Sequence, residues 1–299
     1  MSNESNNLFS DMEKLGFGDI KDINLYEEEP KQEQKKEDNE EKQKISAQDL
    51  IDKEMELLYD RKIKCPVCED TFLARSVKVS APRMLKKDSD LFIRYSNINP
   101  YFYDVWICNI CGYAAMKKDF PNIKNYQIES IREKISPRWR GRIYPQVYDV
   151  DIAIERYKLS LLNYVAMNSK HSNKAMNCLK IAWMYRLKGD EKNETEFLKQ
   201  ALEGLEYAYL EEGFPIYGMD RYTTMYLIGE LSRRVGDFSK AMQWFSKVIT
   251  TPSVSPKLKD LARDQKDLIR ESKKEEEASE DNDKSNKKTG FFRSLFRGK

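Results

Sequence analysis

The sequence predicts an α+β chain, mostly α, in which a small β-rich module tied together by cysteines precedes an antiparallel helical-repeat stack, between disordered termini. Three observations predict it. Two Cys-x-x-Cys pairs, Cys65/Cys68 and Cys108/Cys111, bracket a stretch rich in β-branched and aromatic residues. From about residue 150 the apolar residues return every three or four positions, the period of a helix buried on one face. Both ends are charged runs with little to bury, and charged residues make up 34% of the chain against about 25% in an average globular protein.

The first section, 1–45, is an acidic arm. Between Met1 and Lys44 there are 7 Lys and Arg against 13 Asp and Glu, and the run from Glu27 onward has nothing apolar to fold around. An apolar island precedes that run, from Leu8 and Phe9 through Leu15, Phe17 and Ile20 to Tyr26. It reads equally as a short docking helix with an extended tail or as a floppy terminus.

The second section, 46–145, holds the cysteines. Ser46 is placed to cap a helix containing Leu50, Ile51, Met55, Leu57 and Leu58. Alternation around Thr71 to Val79 and Leu91 to Tyr95, and the run Tyr101 to Ile107 that leads into Cys108, predict short strands. Pro121 opens a helix carrying Ile123, Ile128, Ile131 and Ile135, which ends before Pro137.

The third section, 150–271, is helical. Ile152, Ile154, Tyr157, Leu161 and Val165 share one face, as do Leu179, Ala182, Trp183 and Leu187. Gly189-Asp190 and Gly236-Asp237 punctuate helix ends, where glycine accepts the left-handed cap. Gly229, Ala241, Phe245 and Pro252 follow tetratricopeptide spacing, with small residues where two helices cross closely and Phe245 filling the groove. A degenerate copy starts at Ala175, its second helix displaced by an insertion at Glu191–Glu196, and Leu258 to Ile269 caps the stack. The last section, 272–299, is a charged tail that ends with Phe291, Phe292, Leu295 and Phe296 among Arg293, Arg297 and Lys299.

Cys65, Cys68, Cys108 and Cys111 are the candidate metal ligands. Zinc takes four tetrahedral donors, and each Cys-x-x-Cys turn presents two thiolates from one tight loop, so two turns close a zinc-ribbon-like site. Pro66 stiffens the first turn, and Gly112 lets the chain fold back under the second. A dithiol redox centre needs one pair in a βαβ setting, which is absent, and an iron–sulfur cluster takes four cysteines at other spacings. No histidine lies in this section, so the expected role of Zn2+ is structural rather than catalytic. The single histidine, His171, sits between two predicted helices as a loop or capping residue, and Cys178 falls on a helix as a small core residue.

Charge and motif content narrow the function classes. No apolar run approaches the roughly 20 residues of a membrane span, and the first residues lack a secretory signal, so a cytoplasmic protein is expected. No phosphate-binding glycine loop, nucleophile–base pair or paired carboxylate stands out, so no enzyme is expected. Between Arg61 and Tyr144, 17 Lys and Arg face 8 Asp and Glu. Within that basic section Arg132, Lys134, Arg138, Trp139, Arg140 and Arg142 mix charge with an aromatic ring, as a nucleic-acid contact would. The same arginines could instead pair with acidic residues of the helical section or the arm. The basic-aromatic tail could rest weakly on an anionic membrane surface.

The order Cys65-Pro66-Val67-Cys68, a Lys/Arg-rich ribbon, the run from Ile98 to Ala115, and the helical run from Phe214 to Ile249 resembles an uncharacterised bacterial family. That family is a domain of unknown function with a zinc-ribbon-like front and tetratricopeptide-like rear. The resemblance covers Tyr59 to Ile269 and implies a fold and a metal but no activity. The expected function is a non-enzymatic, zinc-stabilised interaction or scaffold protein, holding a protein or peptide in the helical groove near Tyr185, Tyr222, Tyr226 and Arg233. The alternative is a nucleic-acid-associated zinc protein that uses the basic region 132–142.

Overall fold

The computed structural model describes residues 51–274. The Ser46 cap, the arm with its apolar island, and the basic-aromatic tail lie outside the described residues. The described chain is mostly helical, with three small antiparallel sheets, as the α+β class requires. It divides into two compact units, the first ending at Gly204 and the second beginning at Leu205.

In the first unit residues 51–56 are helical and strand β1 (Leu58–Lys64) follows at once. Leu58, expected in that helix, starts the strand instead, because Leu57 closes the helical turn by bonding to the Glu54 carbonyl at 3.0 Å. β1 pairs in full register with β2 (Thr71–Val77), from Leu58 opposite Val77 to Lys64 opposite Thr71. β3 (Met84–Lys87) and β4 (Ile93–Tyr95) form a second hairpin with a register shift between Met84 and Lys86. Asn99 then caps a 3-10 turn, Pro100–Tyr103, by accepting a bond from the Tyr101 N–H at 3.1 Å. β5 (Val105–Ile107) and β6 (Ala114–Met116) make the third hairpin. Phe120 fills the space between hairpins one and three, its ring 5.8 Å from Phe72, 5.7 Å from Trp106 and 4.6 Å from Tyr113.

Helix α1 (Asn125–Lys134) stops before Pro137, as expected, and a separate 3-10 turn, Ser136–Arg138, follows it. The proline sits in the first residues of that turn, where a missing N–H costs nothing. α2 (Val150–Ala166) is capped by Asp149, whose carboxylate accepts from the Ile152 N–H at 2.8 Å. α3 (His171–Lys188) ends on Gly189 in the left-handed conformation. α4 (Glu191–Glu211) starts directly after it, so residues 191–196 are the opening turns of a helix and not an insertion. Asp190 makes that start possible by accepting from the Asn193 N–H at 3.0 Å. Within this unit a Cβ on Gly204 would lie 2.9 Å from the Ala175 Cβ, which shows how closely α3 and α4 approach.

α2 serves as the missing neighbour strand of the β5–β6 hairpin. The outward N–H groups of Ala114 and Met116 donate to Asn163 Oδ1 at 3.2 Å and to the Tyr164 hydroxyl at 3.0 Å. The Val105 carbonyl accepts from Arg156 at 2.6 Å. A three-residue hairpin with buried edges would otherwise leave these groups unpaired at a cost of about 1–3 kcal/mol each. The β3–β4 hairpin is held differently. Arg186 on α3 reaches Asp90 at 2.6 Å, Glu194 at 2.7 Å and Asp88 at 3.3 Å, and the Trp183 indole N–H donates to Asp90 at 2.9 Å.

The second unit contains the end of α4, α5 (Arg221–Arg234), α6 (Phe238–Thr250) and a last helix, α7, at residues 256–274. Asp220 and Asp237 cap α5 and α6 through the Thr223 and Lys240 N–H groups. Gly229 lies against Phe245, where an added Cβ would meet Cε1 at 2.9 Å, and Ala241 is fully buried in the same unit.

Candidate metal centre

Each cysteine pair occupies the turn of a hairpin, and the two turns have the same backbone design. Cys65 N–H donates to the Asp70 carbonyl at 2.8 Å, and Glu69 N–H returns to the Cys65 carbonyl at 3.0 Å. In the second turn Cys108 N–H donates to Tyr113 at 2.8 Å, and Gly112 N–H returns to Cys108 at 2.9 Å. The residue after the second cysteine is left-handed in both, with φ of 65° at Glu69 and 76° at Gly112. Glycine enters that region freely, whereas Glu69 is held there by its turn.

The four sulfurs converge. Cys65 and Cys111 Sγ are 3.6 Å apart, Cys68 and Cys108 Sγ are 3.5 Å apart, and all four lie within 4.8 Å of one another. A tetrahedral ion with metal–sulfur bonds of about 2.3 Å sets its sulfurs about 3.8 Å apart, so the cluster is compact enough to hold a metal ion. Cys65, Cys108 and Cys111 are buried and Cys68 is half-buried.

The electrostatics ask for a cation. Hydrogen bonds from Cys111 and Cys65 pull the Cys108 thiol down to about 2. Cys65 is pushed up to about 12, chiefly by its bond to that same Cys108, and Cys111 is pushed up by Cys108 and Cys65. Desolvation, the largest influence on Cys68, raises that thiol as well. Backbone N–H groups of Val67 and Cys68 favour ionised Cys65, and those of Ile110 and Cys111 do the same for Cys108. Full ionisation of all four then requires a bound metal ion.

α1 and the 3-10 turn after it clamp both cysteine turns from one side. Arg132 donates to the Val67 carbonyl at 2.6 and 3.2 Å in the first turn. Ser136 Oγ donates to the Cys111 carbonyl at 2.8 Å, and the Trp139 indole N–H donates to the Asn109 carbonyl at 2.8 Å in the second. Trp139 packs directly on Gly112, where an added Cβ would fall 2.7 Å from Trp139 Cγ.

Residues 58–269 match the family described as an uncharacterized protein conserved in bacteria (DUF2225). The chain belongs to that family. Its matched span contains all four cysteines, the clamp and the helices through Ile269. An uncharacterized protein of Borreliella burgdorferi is 24% identical over 171 residues, which is 50% of this chain and 60% of that protein. The chain therefore spans about 60% of the length of the curated relative it matches. No solved structure matches.

Several other residues singled out in the sequence have internal roles. Of the basic stretch 132–142, Arg132 and Trp139 belong to the clamp, and Arg142 holds Glu155 at 3.0 and 2.8 Å; Lys134, Arg138 and Arg140 are exposed. Of the four groove candidates, Tyr185 is buried and stacked 5.6 Å from Phe197, and Tyr226 is buried 5.8 Å from Phe245. These two are core residues. Arg233 is taken by Glu230 at 2.8 Å, which leaves Tyr222 half-buried. His171 opens α3, and Cys178 is buried on that helix, its thiol pushed up to about 12 by burial. No helix among the described residues is long and apolar enough to cross a membrane.

Proposed function

We propose that Cys65, Cys68, Cys108 and Cys111 hold one structural zinc ion, and that the protein is a non-enzymatic, cytoplasmic interaction or scaffold protein. The observation that carries the reading is the closed set of four sulfurs, all within 4.8 Å of one another. Zinc bound there cross-links two hairpins, and four protein thiolates leave it no open position for a substrate or water. Zinc is favoured over an iron–sulfur cluster because two matched turns of this kind suit a single tetrahedral ion of modest size. The helix pair α5–α6, with Gly229 against Phe245, supports a tetratricopeptide-like rear that receives a protein or peptide partner. The nucleic-acid alternative loses its stacking residue, since Trp139 is buried and its N–H is engaged.

Metal analysis of the purified full chain tests the centre. One zinc per chain is expected, falling to near none in Cys111→Ser, together with partial loss of folded signal from the first unit. A metal-free chain with an intact fold would remove the reading. Crosslinking in the native host tests the scaffold role, which fails if no specific protein is captured.

A further inference from the structure

A cavity of about 320 Å³ opens beside the second cysteine turn, between the β1–β2 hairpin and the segment 142–148. Its wall holds three arginines, Arg75, Arg142 and Arg156, against a single carboxylate, Asp60. Two of the guanidinium charges are answered. Arg75 pairs with Asp60 at 2.9 Å, and Arg142 holds Glu155 through two bonds.

The third is not. Arg156 is only 5% exposed, and it donates to the Val105 carbonyl at 2.6 Å. Its guanidinium lies 4.7 and 4.6 Å from the ring centroids of Tyr144 and Tyr148. Its Nε has no hydrogen-bond partner, and among the described residues no carboxylate pairs with it. Ring faces soften the burial of a cation but do not neutralise it, so a charge this deep calls for a counter-ion. Arginine's planar fork matches the oxygens of phosphate and carboxylate.

We propose that this cavity binds a small oxyanionic ligand, one bearing a phosphate or carboxylate group, with Arg156 supplying the unanswered charge and Arg75 and Arg142 its rim. The volume is at the lower end of the range for small-molecule pockets, which fits a metabolite-sized anion rather than a polymer. The site is built on the cysteine turn itself. Asn109, between Cys108 and Cys111, lines the cavity, and its Oδ1 accepts the Arg142 backbone N–H at 2.5 Å.

Calorimetry on the full, metal-loaded chain at low salt tests the proposal. Separate arms carry inorganic phosphate, a nucleoside 5′-monophosphate, citrate and a short single-stranded oligonucleotide. One-to-one binding of at least one small anion is expected, weakened about tenfold or more by Arg75→Gln and by Arg156→Lys, each checked for retained fold by circular dichroism. Phosphate and the monophosphate competing for one site would mark a phosphate ligand, and citrate alone a carboxylate. No saturable small-anion binding at millimolar concentration, binding of the oligonucleotide alone, or affinity unchanged in folded Arg75→Gln would overturn it.

Discussion

Gly112→Ala separates the two jobs that glycine performs next to the metal centre. The first is conformational. Gly112 has φ of 76°, and placing an L side chain in that region costs about 1–2 kcal/mol. The second is steric. The new Cβ would fall 2.7 Å from Trp139 Cγ and 2.9 Å from Trp139 Cβ and Cδ2, so the indole must shift away from its bond to the Asn109 carbonyl. Forcing a packed side chain aside typically costs a further 1–3 kcal/mol or so. The sum is about 2–5 kcal/mol. Gly189→Ala supplies the internal control, because Gly189 has φ of 79° and nothing within 4 Å of its added Cβ. It should lose about 1–2 kcal/mol, the conformational part alone. In a unit of this size each kcal/mol lowers the melting temperature by about 2–4 °C, so thermal or denaturant unfolding resolves the difference. Gly112→Ala should also release its metal to a chelator faster than the control. Equal destabilisation by the two substitutions would refute the idea that Trp139 clamps the turn through contact with Gly112.

Two predictions concern the second unit. Gly229→Ala places a Cβ 2.9 Å from Phe245 Cε1, and the overpacking of about 1–3 kcal/mol outweighs the roughly 1 kcal/mol gained in helix propensity. Unfolding of the single variant should show net loss, and adding Phe245→Leu should recover part of it. The Asp220 carboxyl is held below its ordinary value, first by the Thr223 backbone N–H and then by the Thr223 hydroxyl. Its capping contribution of about 1 kcal/mol is therefore present above the unfolded carboxyl value of about 4 and is lost as pH falls through the lower folded value. Asp220→Ala should be less stable than the native chain at pH 7, and the gap should close in strong acid; a gap independent of pH would count against the cap.

What the sequence disclosed and what it hid follow from the range of the interactions. The cysteine quartet was legible because each half of it is local, two thiols three residues apart in a turn. The helices from Val150 onward were legible because their apolar residues return every three or four positions, although α2 and α3 are buried around most of their circumference. β1 was not, since six of its seven residues are exposed or only partly buried and its strand state comes from pairing with β2. β3 is exposed at all four positions and carries no alternation. Residues 191–196 looked like an insertion because they are polar, yet polarity is what the open face of α4 requires. The clamp and the edge partners of β5–β6 were hidden for a different reason. Arg132 meets Val67 across 65 residues and Asn163 meets Ala114 across 49, and in a sequence either side chain reads as ordinary helix surface.

Those long-range contacts also predict how the first unit responds when the metal is withdrawn. Two-stranded hairpins are marginal on their own, so each must borrow stability from something else. The β5–β6 hairpin borrows from α2, through Asn163, Tyr164 and Arg156, and these bonds do not involve the cysteines. At its cysteine end the β1–β2 hairpin has the proposed metal, the Arg132 bond to Val67 and the Phe72 contact to Phe120; at the other end Leu58 packs with Tyr103 and Tyr148. Removing the ion leaves four clustered thiols that cannot ionise together, and the first turn is the one with fewer remaining anchors. Hydrogen exchange on the full chain before and after chelation reads this directly. The amides of Cys65 and Glu69, and those of β1–β2 near the turn, should lose protection first. The amides of Ala114 and Met116 should stay protected, because their partners on α2 are still in place. Simultaneous loss across both hairpins would mean that the ion holds the whole module together. Graded loss assigns it the narrower task of fastening the first hairpin to a third that α2 has already secured.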